Sequence, residues 1–443
     1  MSISNSKQLS DEFTTEILTL SHEGRGISKH QQKKIFIDGV LPQEVVKYKV
    51  KKKHRHYLEG DVAAIVTPSP DRVSPPCQHF DICGGCSLQH LNMEAQLKHK
   101  QTVFLEQLHH FGSVKPLNLL PPLTAETIGY RRKARLSVRF VIKKNKLMVG
   151  FREKQSRYLA DLDECVVLHP HIGMRLQELK QLISSLTQYQ HIAQVEVAVG
   201  DHEAALIFRH LQPLSENDEI KLIKFGETYQ FDIYAQPNPP EPLRKLYPNN
   251  DCYRLHYSLP EENLKFAFHP LDFTQVHLSI NRMMVELALK HLNLSDDDIV
   301  LDLFSGIGNF TLPIAKRVKT VVGVEGSNEM VNRAYENARL NQIDNAEFHA
   351  DNLQSPHQNA PWLKHDFTKI LLDPPRAGAK EVLPLLQSFM AKTIVYISCN
   401  PATLARDAGD LVHQYSYVLT HAGIINMFAH TAHTESIAVF EKK

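Results

Sequence analysis

The chain has 443 residues, of which 42% are hydrophobic and 22% are charged, and its formal net charge at pH 7 is +1. This composition is typical of a soluble globular protein, and a chain of this length is expected to form about three domains. No apolar run is long enough to span a membrane and the first residues are polar, which excludes an integral membrane protein and favours a cytoplasmic one. Because basic and acidic residues nearly balance, nucleic acid would have to bind at local basic patches.

The first 70 residues read as short strands separated by glycine and charged turns. The predicted strands suit a small β-barrel and cover Thr15 to Leu20, Lys33 to Ile37, Glu44 to Val50 and Tyr57 to Val66. A basic stretch over residues 47–56 suits a surface that binds RNA, and it equally suits a sheet edge that lysine protects from pairing. Residues 1–70 are therefore predicted to be an N-terminal barrel.

Three cysteines follow within ten positions, and a pair of glycines lies between the last two. Six cysteines in a chain of this length do not suggest a disulfide framework, so metal binding or catalysis is the expected use. Together with a fourth, more distant cysteine, these thiols would complete a set of thiolate ligands for zinc or for an iron–sulfur cluster, and spacing alone does not choose between the two. The candidate ligands are Cys77, Cys83, Cys86 and Cys165, whereas Cys252 is expected only to pack.

The middle of the chain is predicted to be a central α+β domain, residues 71–265. Its predicted elements are a helix from Met93 to Gly112 and strands over residues 132–142, 147–152, 195–200 and 204–210. Its basic run from Tyr130 to Arg135 suits contact with RNA phosphates and bases, or a solvated strand.

From residue 266 to 443, helices alternate with hydrophobic strands. This succession predicts an α/β domain with a doubly wound parallel sheet and right-handed crossovers. The predicted helices run over 276–292, to about 316 and to about 340. The predicted strands cover residues 299–304, 320–324, 347–350, 370–372 and 393–397.

The first of these strands ends in a glycine turn, Gly306-x-Gly308, that lets the backbone approach a ligand. A dinucleotide site is the obvious competitor, but Thr311 replaces the third glycine of that fingerprint. S-adenosylmethionine, which has no phosphates, therefore fits better. Glu325, at the tip of the second strand, suits the ribose diol, and Asp351 or Asn352, at the tip of the third, would address the adenine.

Cys399 lies at the tip of the strand that covers residues 393–397. Ligands bind at this edge of a parallel sheet, so the thiol is placed to meet a substrate, although a lone cysteine is commonly a small packing residue. Asp373 ends the preceding strand, and the segment His433 to Ser436 precedes the last strand. We expect all these tips to face one crevice.

Together these motifs resemble the bacterial uracil-C5 RNA methyltransferases. The closest similarity is to the large-subunit (23S) ribosomal RNA members that carry a TRAM barrel and an iron–sulfur domain. The resemblance extends over nearly the whole chain and rests on the barrel, the four cysteines and the motifs that begin at Phe273, Asp302, Asp373, Ser398 and His433. Two positions depart from the family pattern: His277 stands where an asparagine is usual, and Ser305 stands where a cysteine is frequent.

The resemblance implies a class I methyltransferase that forms 5-methyluridine in 23S ribosomal RNA as a monomer. It implies that the four cysteines hold a [4Fe–4S] cluster and that Cys399 adds to uracil C6. Glu435 is the candidate base for the C5 proton, although without the resemblance it would be assigned as a surface carboxylate. The implied S-adenosylmethionine contacts are Gln275, Phe304, Asn309, Glu325, Asn352 and Asp373. Alternatives are a transfer-RNA uridine methyltransferase and a noncatalytic RNA-binding protein of ribosome assembly.

Overall fold

The computed structural model describes residues 11–237, 242–357, 359–389 and 391–443, which form two compact units. The first unit contains the described residues up to Val103, together with Arg152–Arg157 and Phe428–His433; the second contains the rest. Within the described residues, every helix is too short or too polar to cross a bilayer. The predicted domain boundaries at residues 70 and 265 stay predictions.

The first unit contains a six-stranded sheet in the order β1-β5-β6-β4-β3-β2. Alternate side chains of these strands point inward, and Ile35, Ile37, Val46 and Tyr48 are buried in one cluster. The strand β3 was not predicted individually, because it lies between two predicted strands. The strands are β1 Glu12–Glu16, β2 Thr19–Leu20, β3 Gly26–His30, β4 Lys33–Ile37, β5 Val45–Lys53 and β6 Tyr57–Thr67.

The helix α1, Met93–Gly112, has the bounds that the sequence predicted. It begins where the Asn92 side chain accepts a hydrogen bond of 2.8 Å from the Ala95 N–H, which is ordinary N-cap chemistry.

The second unit contains a six-stranded sheet in the order β13-β12-β11-β10-β8-β9 and a separate hairpin of β14 and β15. Of these strands, β8 to β11 match predicted segments, whereas β12 to β15 and the helices α2 to α4 were not predicted individually. The strands are β8 Lys133–Val141, β9 Lys146–Gly150, β10 Ile192–Val199, β11 Ala204–His210, β12 Asp232–Pro237, β13 Arg244–Tyr247, β14 Leu255–Leu259 and β15 Leu264–Phe268. The helices are α2 Pro170–Gly173, α3 Leu176–Ser185 and α4 Glu216–Tyr229.

An eight-stranded sheet in the second unit has the order β18-β17-β16-β19-β20-β22-β21-β7. Strands β16 to β20 pair in parallel, and β22 runs antiparallel between β20 and β21. Its strands are β7 Asn118–Leu119, β16 Ile299–Leu303, β17 Thr320–Glu325, β18 Ala346–Ala350, β19 Lys369–Leu372, β20 Thr393–Ser398, β21 Tyr417–Ile425 and β22 Glu435–Lys442. The associated helices are α5 Leu278–Leu292, α6 Thr311–Ala315, α7 Asn328–Leu340, α8 Leu383–Phe389 and α9 Pro401–His413.

The antiparallel insertion of β22 decides which residues share an edge of this sheet. The parallel strands end at that edge, whereas β22 begins there. Glu435 is the first residue of β22, not a residue of the loop before it, and it therefore lies at the same edge as the tips of β16, β19 and β20.

Candidate active site

A tight glycine turn follows β16 and lies against the tip of β17. Phe304, Gly306 and Gly308 have φ angles of 66°, 55° and 91°, the left-handed region that glycine adopts readily and phenylalanine rarely does. The Phe304 N–H donates to the Val324 carbonyl at 2.8 Å. A strained aromatic residue in such a turn is typical of a binding site.

Glu325 ends β17, and its side chain connects the glycine turn after β16 with the turn after β17. Its carboxylate accepts hydrogen bonds from the backbone N–H of Gly306 at 3.1 Å and of Ser327 at 3.2 Å. The side chain is half-buried, so its oxygens remain within reach of a ligand. The arrangement suits the predicted contact with a ribose diol.

At the tip of β18, the two residues that were predicted as alternative contacts for adenine differ in burial and in hydrogen bonding. The buried Asp351 carboxylate accepts hydrogen bonds from His357 Nδ1 at 2.6 Å and from Trp362 Nε1 at 2.9 Å. Burial raises the pKa of Asp351, but these hydrogen bonds lower it by more, so the pKa lies below its ordinary value. The carboxylate is therefore ionised and structural. Asn352 is exposed beside it and remains available to a ligand.

Two carboxyl groups line the centre of the edge, at the tips of β16 and β19. Asp302 is fully buried and accepts a hydrogen bond of 2.5 Å from the Thr311 hydroxyl. Burial and the charges of Asp373 and Glu325 raise the pKa of Asp302 to about 8. Burial also raises the pKa of Asp373, to about 7. Such raised values are typical of functional sites.

Cys399 and Glu435 occupy opposite positions of neighbouring strands. Ser398 of β20 pairs with Ser436 of β22, so extending this register by one residue places Cys399 opposite Glu435. Opposite residues of an antiparallel pair project from the same face, with Cβ atoms about 4.5–5.5 Å apart. The structure therefore brings together the predicted nucleophile and the predicted base.

Both groups are largely protonated at neutral pH. Burial, followed by the charges of Glu435 and Asp373, raises the pKa of the Cys399 thiol to about 11, although the Arg376 guanidinium lowers it. Burial and the charge of Asp373 raise the pKa of Glu435 to about 8, again against Arg376. A carboxyl group with this pKa is suited to exchange protons near neutral pH.

Arg376 belongs to a loop that is tied to the start of α9. Its carbonyl oxygen accepts hydrogen bonds from Asn400 Nδ2 at 2.9 Å and from the Thr403 hydroxyl at 3.3 Å. Further along, the buried Asp407 accepts from the Ala379 N–H at 2.8 Å and from the Tyr396 hydroxyl at 2.7 Å. No sequence motif marks Asp407, because its partners are distant along the chain.

The two remaining predicted cofactor residues are Gln275 and Asn309. Gln275 is half-buried in the segment before α5. Asn309 follows the turn, and its amide is hydrogen-bonded to Asn281 and Tyr257. Sequence reasoning missed these two partners, because they are distant along the chain and belong to no motif.

The two residues that depart from the family pattern, His277 and Ser305, are both buried. His277 is buried at the N-cap of α5, where Nδ1 accepts from the Ile280 N–H and the ring stacks on Tyr130 at 4.5 Å. His277 therefore fills the N-cap role for which asparagine is favoured. The Ser305 hydroxyl is buried and has no hydrogen-bond partner among the described residues.

The basic run at residues 130–135 is used mainly inside the protein. Tyr130 is buried, Arg132 Nη1 donates to the Gly200 carbonyl, and Lys133 Nζ donates to the Pro270 carbonyl at 3.0 Å. Arg135, whose side chain is 66% exposed, forms an ion pair with Glu196 at 3.5 Å. Arg132 and Lys133 are half-buried, and RNA contact by this run stays a prediction.

The first three predicted metal ligands lie on one loop of the first unit. A side chain at Gly84 would approach the Arg152 carbonyl to 2.9 Å, so only glycine fits there. Burial raises the pKa of Cys83, whereas a hydrogen bond from the Gly85 N–H and the nearby Lys154 lower it. Across the described ranges, however, no group of three or more His, Cys, Asp or Glu side chains is placed to hold a metal ion, so the cluster is not confirmed.

Comparison with solved structures establishes the fold. The chain is similar to the Pyrococcus abyssi tRNA (uracil-54, C5)-methyltransferase in complex with S-adenosyl-L-homocysteine, with a TM-score of 0.73 and 23% identity. The match covers 97% of this chain and 100% of that one. Together with the glycine turn and the strand-edge site, it defines a class I methyltransferase fold.

Sequence comparison identifies the family. The model described as tRNA (Uracil-5-)-methyltransferase matches residues 92–443, and the TRAM domain model matches residues 8–63. The relatives from Alcanivorax borkumensis and Hahella chejuensis are 50% and 48% identical, and the matches cover 96% and 100% of both chains. Both are named 23S rRNA (uracil(1939)-C(5))-methyltransferase RlmD. The chain therefore belongs to the tRNA (uracil-5-)-methyltransferase family, and it is an enzyme that uses S-adenosylmethionine.

Proposed function

We propose that the enzyme methylates C5 of a uridine in 23S ribosomal RNA, at the position that corresponds to the uridine named for its relatives. The observation that carries this proposal is the register of β20 and β22, whose Ser398–Ser436 pair, extended by one residue, supports Cys399 and Glu435 as neighbours. The charge of Asp373 acts on both groups, which further supports one shared site. The relatives of that name, at 48–50% identity over nearly their full length, favour ribosomal over transfer RNA.

The bound S-adenosylmethionine supplies an electrophilic methyl group. Gln275, Phe304, Asn309, Glu325, Asn352 and Asp373 are the residues proposed to hold it. The half-buried Glu325 and the exposed Asn352 are accessible to a ligand at neighbouring strand tips, which supports their assignments.

Cys399 is the proposed nucleophile. Uracil C5 is too weak a carbon nucleophile to accept a methyl group unaided, so the thiolate must first add to C6. The S–C6 bond forms, and the electrons of the C5–C6 double bond move toward O4, which gives C5 carbanion character. The positive charge of Arg376 near the sulfur favours the thiolate and so assists this step.

Glu435 is the proposed base that completes the reaction. After methyl transfer, C5 still carries its hydrogen, and the ionised Glu435 carboxylate removes it as a proton. The electrons of that C–H bond restore the C5–C6 double bond, and the Cys399 thiolate leaves. With a pKa of about 8, about a tenth of Glu435 is ionised at pH 7, enough to act as a base without depending on strongly alkaline conditions.

The RNA is proposed to present a flipped uridine to this edge. Uracil in a stacked helix cannot reach the half-buried Cys399 thiol, and single-stranded bases commonly stack on aromatic side chains. Phe273 is 70% exposed two residues before Gln275 and offers such a face. The TRAM match supports a further contact of residues 8–63 with RNA.

The test is methylation of defined RNAs by the purified full-length protein. We expect 5-methyluridine in a 23S fragment and not in transfer RNA, and we expect Cys399→Ala to abolish methylation while RNA binding persists. Cys252→Ser is the matched control, because Cys252 is exposed and far along the chain from the site. Methylation of transfer RNA alone would favour that substrate instead, and full activity of Cys399→Ala would refute the mechanism.

We further propose that Cys77, Cys83, Cys86 and Cys165 bind a [4Fe–4S] cluster. The donor chemistry and the close backbone approach at Gly84 support this, although the side chains as placed do not form a ligand set. Anaerobically purified protein should contain about four iron and four sulfide per chain, and Cys83→Ser should lose them while Cys252→Ser keeps them. Stoichiometric zinc without iron would refute the proposal.

A further inference from the structure

Two buried asparagines flank the glycine turn from different helices. Asn281 lies on α5 and is 2% exposed, and Asn337 lies on α7 and is fully buried. Burying an amide is costly unless its groups are hydrogen-bonded, so the partners of such residues identify what the amide is there to hold.

Asn281 and the turn residue Asn309 are joined by two hydrogen bonds. Asn281 Nδ2 donates to Asn309 Oδ1 and Asn309 Nδ2 donates to Asn281 Oδ1, both at 2.9 Å. The Tyr257 hydroxyl also donates to Asn309 Oδ1 at 2.9 Å. The orientation of the Asn309 amide is therefore fixed, and among the described residues one of its Nδ2 hydrogens has no acceptor.

Asn337 holds the middle of the same turn. Its Nδ2 donates to the Ile307 carbonyl at 3.1 Å, and its Oδ1 accepts from the Ala267 N–H at 2.8 Å. The amide thus links the turn to β15, the second strand of the hairpin whose first strand carries Tyr257.

We propose that Asn281 and Asn337 are positioning residues for S-adenosylmethionine. The turn contains Gly306 and Gly308, which have many accessible conformations, and it follows the strained Phe304. Two helix-borne amides fix it before the ligand arrives, so less conformational entropy is lost on binding. Asn281 and the Tyr257 hydroxyl also leave one N–H of the Asn309 amide for the ligand. This inference rests on the proposed function only in taking the turn to be the cofactor site.

The test compares ligand affinities of isosteric and truncated variants. Asn281→Ala and Asn337→Asp should each raise the Kd of S-adenosylhomocysteine about tenfold or more by calorimetry. Asn337→Asp keeps the acceptor for Ala267 but loses the donor to Ile307. In steady-state assays the KM for S-adenosylmethionine should rise, whereas the KM for RNA should not change. A general loss of structure would alter both.

Asn345→Ala is the matched control. Asn345 Nδ2 donates to the carbonyls of Ala315 and Val318 at 2.8 and 2.9 Å, away from the turn. We expect this variant to lose stability without a change in the Kd of S-adenosylhomocysteine. If the wild-type protein does not bind S-adenosylhomocysteine, the proposed function fails. If the wild type binds it and folded Asn281→Ala and Asn337→Asp bind it equally well, the positioning role alone is refuted.

Discussion

Replacing Glu435 with glutamine separates the two chemical steps assigned to this site. Glutamine keeps the shape of the 3% exposed side chain and removes its charge. Because the C5 proton then has no base, turnover should fall by about 10²–10⁴-fold, the usual contribution of such a group. The methylated RNA should remain bound through Cys399. A denaturing gel with labelled RNA should show this covalent complex accumulating in the presence of S-adenosylmethionine.

The same substitution should change the pH dependence of the first step. After burial, the charge of Glu435 is the largest cause that raises the pKa of Cys399 to about 11, so only about 10⁻³ of the thiol is ionised at pH 8. Glutamine removes that charge, and each unit by which the Cys399 pKa falls gives about ten times more thiolate. Near pH 6.5 Glu435 is itself protonated, so there the variant and the wild type should react alike.

The assay uses RNA with 5-fluorouridine at the target, because its C5 carries no proton and both proteins stop at the covalent complex. The ratio of trapping rates, variant to wild type, should rise from about one at pH 6.5 to well above one at pH 9. Glu441→Gln is the control, since Glu441 lies at the exposed end of the same strand. A ratio that stays constant with pH, or normal turnover by Glu435→Gln, would refute the reasoning.

Two further substitutions and the pH dependence of the wild-type protein test the stability of the site by urea unfolding. Ser305→Cys should raise the free energy of unfolding by about 1 kcal/mol, because it removes a buried hydroxyl that lacks a partner among the described residues; an unchanged urea midpoint would contradict this. Asp407→Ala should lower it by about 2–5 kcal/mol, because the Tyr396 hydroxyl and the Ala379 N–H lose their acceptor; a loss below 1 kcal/mol would show that they find other partners. The folded protein holds the Glu435 proton up to about pH 8, whereas the unfolded chain releases it near pH 4.5. The free energy of unfolding of the wild-type protein should therefore fall by up to about 4 kcal/mol as the pH rises from about 4.5 to 8. Glu435→Gln should lack this part of the decline.

The sequence predicts the outer frame of this site because strand tips have a local signature. The β-branched run that ends at Ser398 and the glycine turn after Leu303 are both visible in a few consecutive residues. The class I methyltransferase fold and the N-terminal TRAM region are confirmed by the comparisons, whereas the central iron–sulfur domain stays a prediction. The roles of the individual site residues remain predictions, because each role depends on which ligand atoms the residue contacts.

The supporting contacts could not be predicted in the same way. Asn281 meets Asn309 across 28 positions, and Asn337 meets Ala267 across 70. Nothing in the local sequence distinguishes these asparagines from helix-surface residues, because their function arises only when α5 and α7 pack beside the turn. The basic run at 130–135 shows the converse: its charges suggest RNA, yet the backbone carbonyls that Arg132 and Lys133 bind belong to distant segments.

The chemistry finally depends on the register of one antiparallel strand. A shift of β22 by one residue would turn Glu435 to the opposite face of the sheet and leave Cys399 without its proposed base. Six consecutive pairs with β20 and a further ladder with β21 fix that register, and both faces of β22 are buried from Glu435 to Phe440. Because a slip would move each buried side chain of this stretch into a space packed for another, the packing that stabilises the sheet also sets the distance between the proposed nucleophile and the proposed base.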